Sequence, residues 1–336
     1  MNLSVVIRSK DEADRLRLTL TSLARQSEPA EVVVVNDGSS DYTGDVLEEA
    51  AGFMPLTVIH HETPRGRAAA SNAGAQAASG EILLFLDGDT LAGPDLVQHH
   101  KTAHAAHEGL IGRGKVFHLR CTRFLRDPET AAPWPDQAER IARLPPGEIE
   151  RLRVTRAQVL EDFDAVARRA EAGVYPGAGP RALHELELAA LRDHPDCTVL
   201  WAAATGSNLS APREAFLRAG GFYDGNGITD HRELALKLCN AGLRMQLVEG
   251  ARSYHLTHRS GWRDPLKETG WEAAFYRLHP TPAAKLLALF WASVSPNSPL
   301  PSAARIASLP ALEIAARGDN GVDYDAARAQ LGLPPL

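Results

Sequence analysis

The densest chemistry in this sequence is Asp87-Gly88-Asp89, reached through the apolar run Ile82-Leu83-Leu84-Phe85-Leu86. Two carboxylates one residue apart can share a hard divalent cation. A magnesium-like ion takes one or two carboxylates together with phosphate oxygens. Asp-Gly is also ordinary turn chemistry, so the tripeptide alone leaves a metal site and an acidic turn both open. Three further places carry chemistry-bearing types. Asp37 closes the run Val32-Val33-Val34-Val35. Asp230 stands three residues before Glu233, a spacing that also reads as a helix cap of the capping-box kind. His255 and His258 follow a strand-like stretch that starts at Arg244. His100, His104 and His107 share one helix face, but no acidic partner accompanies them as in HExxH.

These side chains need elements to position them. Apolar runs at residues 3–7, 32–35, 56–59 and 81–86 read as buried strands. Helical periodicity follows the first at Leu16, Leu20 and Leu23, an Ala-rich helix covers 67–78, and Pro94 opens a helix to about His107. Alternating strands and helices predict an α/β, doubly wound, mostly parallel sheet. In such a sheet the carboxyl ends of the strands lie along one edge, where ligands bind. Asp37, Asp87 and Asp89 therefore converge on one crevice. Residues 119–196 read as a helical insertion, with one long helical pattern over 148–172 and a Gly/Pro break at 175–180. Sheet-like sequence resumes at 198–201, and a strand is expected at 244–249. Two aromatic-bearing helices (271–278 and 283–294) open a helical tail. The expected organisation is thus 1–118, the insertion 119–196, a second part of the sheet domain at 197–265, and a C-terminal helical extension at 266–336.

The chain has 336 residues, 44% hydrophobic and 23% charged, enough to bury a core. A formal net charge of -6 argues against nucleic acid as a partner. Cys121, Cys197 and Cys239 are odd in number and form no CxxC pattern, which suits reduced thiols and a cytoplasmic location. No stretch reaches the roughly 20 apolar residues of a spanning helix. The short apolar helix at 283–294 leaves room for peripheral membrane contact.

The order of motifs resembles the family 2 glycosyltransferases of GT-A fold. The matching pieces are Ser4-Val5-Val6-Ile7 with Glu12; Val33-Val34-Val35-Asn36-Asp37-Gly38-Ser39-Ser40-Asp41; Ser71-Asn72-Ala73-Gly74; Phe85-Leu86-Asp87-Gly88-Asp89; Gly206-Ser207-Asn208-Leu209 with Gly220-Gly221-Phe222; and Asp230 with Glu233-Leu234. The resemblance covers roughly residues 1–117 and 197–260 and leaves the insertion and the tail unmatched.

The resemblance implies that Asp37 contacts the nucleotide base, with Ser9 and Glu12 lining the same pocket. Arg67, or as a second choice Arg65, would reach the diphosphate. Asp87 and Asp89 match the DxD element that holds Mn2+ or Mg2+, with His255 or His258 as a further ligand and Asp87 shared between metal and nucleotide. Asp230 would be the general base of an inverting, non-processive transfer of one sugar from a nucleoside-diphosphate sugar, a UDP-sugar foremost. The acceptor is open: a glycan, a lipid-linked sugar, a peptide side chain or a small metabolite. Trp262 is a candidate to stack on a sugar. Arg8-Ser9-Lys10-Asp11 departs from the family's Pro-Thr or Pro-Ala then Tyr-Asn, and Ser71 stands where an Arg is usual. These departures motivate the alternative of a catalytically inactive sugar-nucleotide-binding or scaffold protein on the same fold.

Overall fold

The computed structural model describes residues 1–172, 182–225, 227–258, 266, 270–295, 298–318 and 320–336. The chain divides into two compact units. One comprises Met1–Ala172, Gly206–Arg218 and Val248–Trp262; the other comprises Gly173–Thr205, Ala219–Leu247 and Arg263–Leu336. Of the insertion expected at 119–196, residues 119–172 fall in the first unit and the remainder in the second. Trp262 and residues 175–180 lie outside the described residues.

The first unit is a βαβ series. Its elements are β1 (Leu3–Ser9), α1 (Ala13–Ala24), β2 (Glu31–Asp37), α2 (Thr43–Ala51), β3 (Thr57–His61), α3 (Arg67–Ala77), β4 (Ile82–Asp87), β5 (Thr90–Ala92), α4 (Leu96–Ala106) and β6 (Leu110–His118). Strands β3, β2, β1 and β4 lie side by side, all parallel. Chain order reverses direction at β1, with β2 on one side and β4 on the other. That reversal is the switch point at which doubly wound sheets open a crevice. The expected α/β doubly wound architecture is therefore present. Val5, Ile7, Val34 and Leu84 are fully buried, as a strand covered on both faces requires. Helix α3 approaches so closely that a Cβ on Gly74 would stand 2.6 Å from Val6 Cγ1.

Beyond β4 the pairing turns antiparallel. β10 (Leu209–Pro212), which leads into α10 (Arg213–Arg218), runs against β4 and β6. β11 (Arg244–His255) runs against β5. The strand expected at 244–249 thus continues to His255, and its second half carries that residue to the ligand edge.

The insertion corrects one expectation. Residues 148–172 do not make one long helix. After a two-stranded ribbon, β7 (Leu125–Asp127) with β8 (Ala132–Pro133), come the short helices α5 (Ala138–Ala142), α6 (Pro146–Leu152), α7 (Arg156–Glu161) and α8 (Phe163–Ala167), then β9 (Glu171–Ala172). Thr155 forms a capping box with Gln158, and the Asp162 side chain caps α8, so each starts a new helix. Leu119, Val159, Phe163 and Val166 join Tyr254 and Leu256 in one apolar cluster.

The second unit holds α9 (Ala182–Asp193), α11 (Asp230–Asn240), α12 (Gly270–Leu278), α13 (Pro282–Ser293), α14 (Leu309–Arg317) and α15 (Tyr324–Gln330). The sheet-like reading of 198–201 is also corrected: Leu200–Ala203 is a 3-10 turn, buried throughout. A short apolar run cannot by itself separate strand from buried helical turn. Residues Leu286 to Ala292 of α13 are all buried, so the helix offered above for membrane contact spends its apolar faces on packing. Among the described residues no helix is long and apolar enough to cross a membrane.

His100 and His104 of α4 join a buried hydrogen-bonded chain rather than a metal site, and His107 lies just past the helix end. His104 Nε2 lies 2.8 Å from Ser210 Oγ, Ser210 Oγ 2.8 Å from His100 Nδ1, and His100 Nε2 2.8 Å from Asn208 Oδ1. His104 donates to Ser210, Ser210 to His100, and His100 to Asn208, with each ring neutral. Burial pushes His100 down to about 4 and, joined by the charge of His100, pushes His104 down to about 3. The unfolded chain takes up protons below about pH 6.5, whereas the folded chain does not until far lower pH. Stability is therefore lost as pH falls from 6.5 towards 4, approaching about 1.4 kcal/mol per pH unit for each histidine. Urea unfolding of the full chain between pH 7 and 5 should show this slope, shallower in His104→Leu. An identical slope in that variant would refute the buried neutral assignment.

Candidate active site

The β1 and β4 strands end beside each other, and their register places Arg8 opposite Asp87. Arg8 Nη2 meets Asp87 Oδ1 at 2.7 Å, and Ser207 Oγ donates to Asp87 Oδ2 at 2.7 Å. Arg8 Nη1 also donates to Ser71 Oγ at 3.2 Å. Position 71, where the family's pattern has Arg, is thus met by a guanidinium arriving from β1. Gly88 follows, and a Cβ there would lie 2.3 Å from Glu12 Oε1 and 3.0 Å from Ser9 Oγ. Only glycine lets the turn pass this close to those two side chains.

Asp89 is buried at 5% exposure. His255 Nε2 and His258 Nε2 both point at its Oδ2, at 3.2 and 2.8 Å. The ligand atoms of Asp89, His255 and His258 all lie within 4.8 Å of one another. The pairing of β5 with β11 sets His255 opposite Thr90, and the Leu256 amide donates to the Asp89 carbonyl at 2.8 Å. Burial pushes the Asp89 carboxyl up, but the two imidazoles more than offset it and hold it well below the usual carboxylate range. His255 is raised in turn: burial opposes its charge, and the Asp89 carboxylate outweighs burial. Glu12 moves the other way. Burial first, then the charge of Asp89, push its carboxyl well above the ordinary value.

One carboxylate and two imidazoles, converging from a strand end and a loop, form a donor set that fits a divalent transition metal. Asp87 stands outside this set, its oxygens engaged by Arg8 and Ser207.

Asp37 is placed at the end of β2 and is buried. Its carboxylate accepts from the Arg65 amide at 2.8 Å, the Gly66 amide at 2.9 Å and His61 Nδ1 at 2.7 Å. Burial raises its pKa, but these donors bring it below the ordinary value. Here Asp37 organises the loop that delivers exposed Arg67 to the first position of α3. Asp230 belongs to the second unit and is buried at 2% exposure in the first turn of α11. It is not the cap: Thr229 holds that position, and Glu233 pairs with His279 at 2.9 Å and Lys237 at 3.1 Å.

Sequence reading missed three residues of the first site: Arg8, His118 and Arg15. The His118 ring lies 5.2 Å from that of His255, and burial with the His255 charge lowers it to about 3. Arg15 is 4% exposed and donates to the carbonyls of Leu256 at 3.3 Å, Arg126 at 2.7 Å and Leu125 at 2.7 Å. It also lies over the Trp134 ring at 5.7 Å. Arg15 stands in α1 beside the apolar position Leu16. Its partners are more than a hundred residues away, and no local pattern signals them.

A parallel strand half joined to an antiparallel half, with carboxylates at the switch point, is the GT-A fold. Its solved counterparts include Staphylococcus aureus TarS, residues 1–349 in complex with UDP-GlcNAc, with TM-score 0.54 and 14% identity over 99% of this chain and 93% of that one. Residues 4–143 match Glycosyl transferase family 2, so this part of the chain carries that family's sequence, as the motif order implied. Among curated relatives, Validoxylamine A glucosyltransferase of Streptomyces hygroscopicus subsp. jinggangensis is 44% identical over 107 residues, 31% of this chain and 25% of that protein. The uncharacterized glycosyltransferase YfnE of Bacillus subtilis is 38% identical over 113 residues, 33% of this chain and 29% of that protein. The matches therefore span under a third of those relatives' length.

Titration calorimetry of the full chain with MnCl2 should report a site that depends on Asp89, His255 and His258. Alanine at any of the three should weaken binding at least tenfold, since loss of even an outer-sphere partner costs about 10–100-fold. Undiminished affinity in all three variants would remove the site.

Proposed function

We propose that this protein is a metal-assisted, inverting glycosyltransferase that moves one sugar from a nucleoside-diphosphate sugar, with UDP-sugars first among donors, to an acceptor hydroxyl. The observation that carries the reading is the convergence of Asp89, His255 and His258 at the carboxyl edge of a switch-point sheet. These three would hold the cation, Mn2+ or Mg2+. When bound, that ion supplies neutralisation for charge developing on a leaving nucleoside diphosphate.

The chain's own residues do the rest. Arg67, exposed at the start of α3, is assigned to the diphosphate. Ser9, Glu12 and Asp37 line the nucleotide side, Asp37 chiefly by holding the 65–66 loop in place. Asp87, fixed by Arg8 and Ser207, orients the nucleotide from beside the metal ligands. Asp230 is assigned the general base from its place in the motif order. A carboxylate accepts the acceptor's hydroxyl proton as the oxygen attacks. One base suffices for inversion, because no covalent intermediate has to be resolved. The three free cysteines suit a cytoplasmic setting.

A donor screen scored by nucleoside diphosphate release with MnCl2 present tests this reading. Release with at least one UDP- or GDP-sugar is expected, lost in Asp89→Ala with the fold retained. Asp230→Asn should bind the donor with unchanged affinity and lose about 100-fold or more in turnover. Nucleotide-dependent thermal stabilisation with no release from any donor would instead establish the non-catalytic, sugar-nucleotide-binding protein.

A further inference from the structure

The first turn of α11 contains three consecutive buried polar residues, with 2% exposure at Asp230, 9% at His231 and 5% at Arg232. They form a chain. His231 Nδ1 lies 3.1 Å from Asp230 Oδ1, and the His231 amide donates to the same oxygen at 2.8 Å. On the far side of the ring, Arg232 Nη1 lies 3.0 Å from His231 Nε2. The guanidinium is itself anchored. Its Nε donates to the Ala202 carbonyl at 2.9 Å, its Nη2 lies 3.4 Å from Glu187 Oε1 on α9, and the Trp291 ring covers it at 4.7 Å. Glu187 is fully buried, so this ion pair is shielded from solvent.

The proton positions follow from the donor inventory. A guanidinium has five N–H donors and no acceptor. Whatever lies against Nη1 must therefore present a lone pair, and His231 Nε2 is the atom in that place. An imidazolium, or the Nε2–H tautomer, would set N–H against N–H. The neutral ring then carries its proton on Nδ1, the nitrogen that faces Asp230.

We propose that His231 is a positioning residue: with its tautomer fixed by Arg232 and Glu187, it donates Nδ1–H to Asp230 Oδ1 and sets the plane of the carboxylate that takes the acceptor's proton. This rests on the assignment of Asp230 as general base. In the transfer step the acceptor O–H bond breaks, its proton goes to the Asp230 carboxylate, and the freed electron pair forms the new bond to the anomeric carbon, while the anomeric carbon–oxygen bond to the diphosphate breaks and the nucleoside diphosphate leaves with that bond's electron pair. His231 stays neutral throughout, and its N–H bond is neither made nor broken.

The tautomer can be read directly, with no substrate. In the full chain labelled with 15N-histidine, long-range proton–nitrogen correlation spectra at pH 7.5 should show the His231 ring neutral and protonated on Nδ1. The resonances are assigned by their loss in His231→Asn. In Arg232→Met the Nε2–H form should gain population. A wild-type ring that is Nε2–H or imidazolium overturns the proposal. Kinetics add a second arm, with UDP-GlcNAc and UDP-glucose as donors, MnCl2, and water as acceptor. His231→Phe keeps a ring without the donor, and its kcat should fall at least tenfold with the donor KM unchanged. His231→Asn places an N–H near the Nδ1 position and should restore most of the rate. Equal rates for wild type and His231→Phe overturn the positioning role. Full turnover in Asp230→Asn overturns the base assignment instead, and leaves the tautomer result standing.

Discussion

Three carboxylates, Glu12, Asp87 and Asp89, are gathered at the ends of β1 and β4, and much of the first unit answers that concentration of like charge. Like charges a few ångströms apart in a poorly polarisable surrounding repel by several kcal/mol unless counter-charges meet them. Each acid has its own remedy here. Arg8 meets Asp87 across the strand register. His255 and His258 meet Asp89. Glu12 is pushed towards its protonated form by burial and by Asp89. Arg15 adds a nearby buried positive charge and ties down the chain around it through three backbone carbonyls. The antiparallel half of the sheet brings the histidines home, because only the pairing of β11 with β5 sets residue 255 beside residue 90.

The parallel half of the fold could be read almost directly from the chain. The Val32–Val35 and Ile82–Leu86 runs are buried on both faces, and such strands leave few other arrangements. The acids at their ends were legible for the same reason: a buried strand that stops at Asp puts that Asp on an edge. What stayed hidden depended on distance in sequence. Arg8 and Ser71 looked like departures from a family pattern until the fold placed one side chain on the other. Asp37 was legible as a strand-end acid, but not its bonds to the 65–66 amides, which require β3 and the following loop to return alongside β2. The breaks in 148–172 were signalled by Thr155 with Gln158 and by Asp162, and were overridden by a periodic apolar stripe.

The C-terminal part of the second unit, which the motif resemblance does not reach, is still tightly specified. Trp201 stacks on Phe275 at 5.7 Å, and Trp271 meets Trp291 at 5.0 Å. Arg328, 3% exposed, pairs with fully buried Glu272 and donates to the carbonyls of Lys285 and Pro334 at 2.7 Å each. Removing one partner of a buried charge pair leaves the other charge unmet and is strongly destabilising, so Arg328 ties the C-terminal segment to this unit by charge as well as by apolar area. Such packing discloses nothing about an acceptor, which fits the lack of a sequence match there.

The bond between Asp89 and His258 also has a consequence in time. A chain grows on the ribosome at about 5–20 residues per second, and the histidine follows the acid by roughly 170 positions. On the order of ten to thirty seconds therefore separate the synthesis of Asp89 from that of its imidazoles, while Arg8 and Arg15 are encoded before it. Arg8 is thus available to Asp87 as soon as β4 is made, whereas the charge pairing of Asp89 waits for residues 255 and 258.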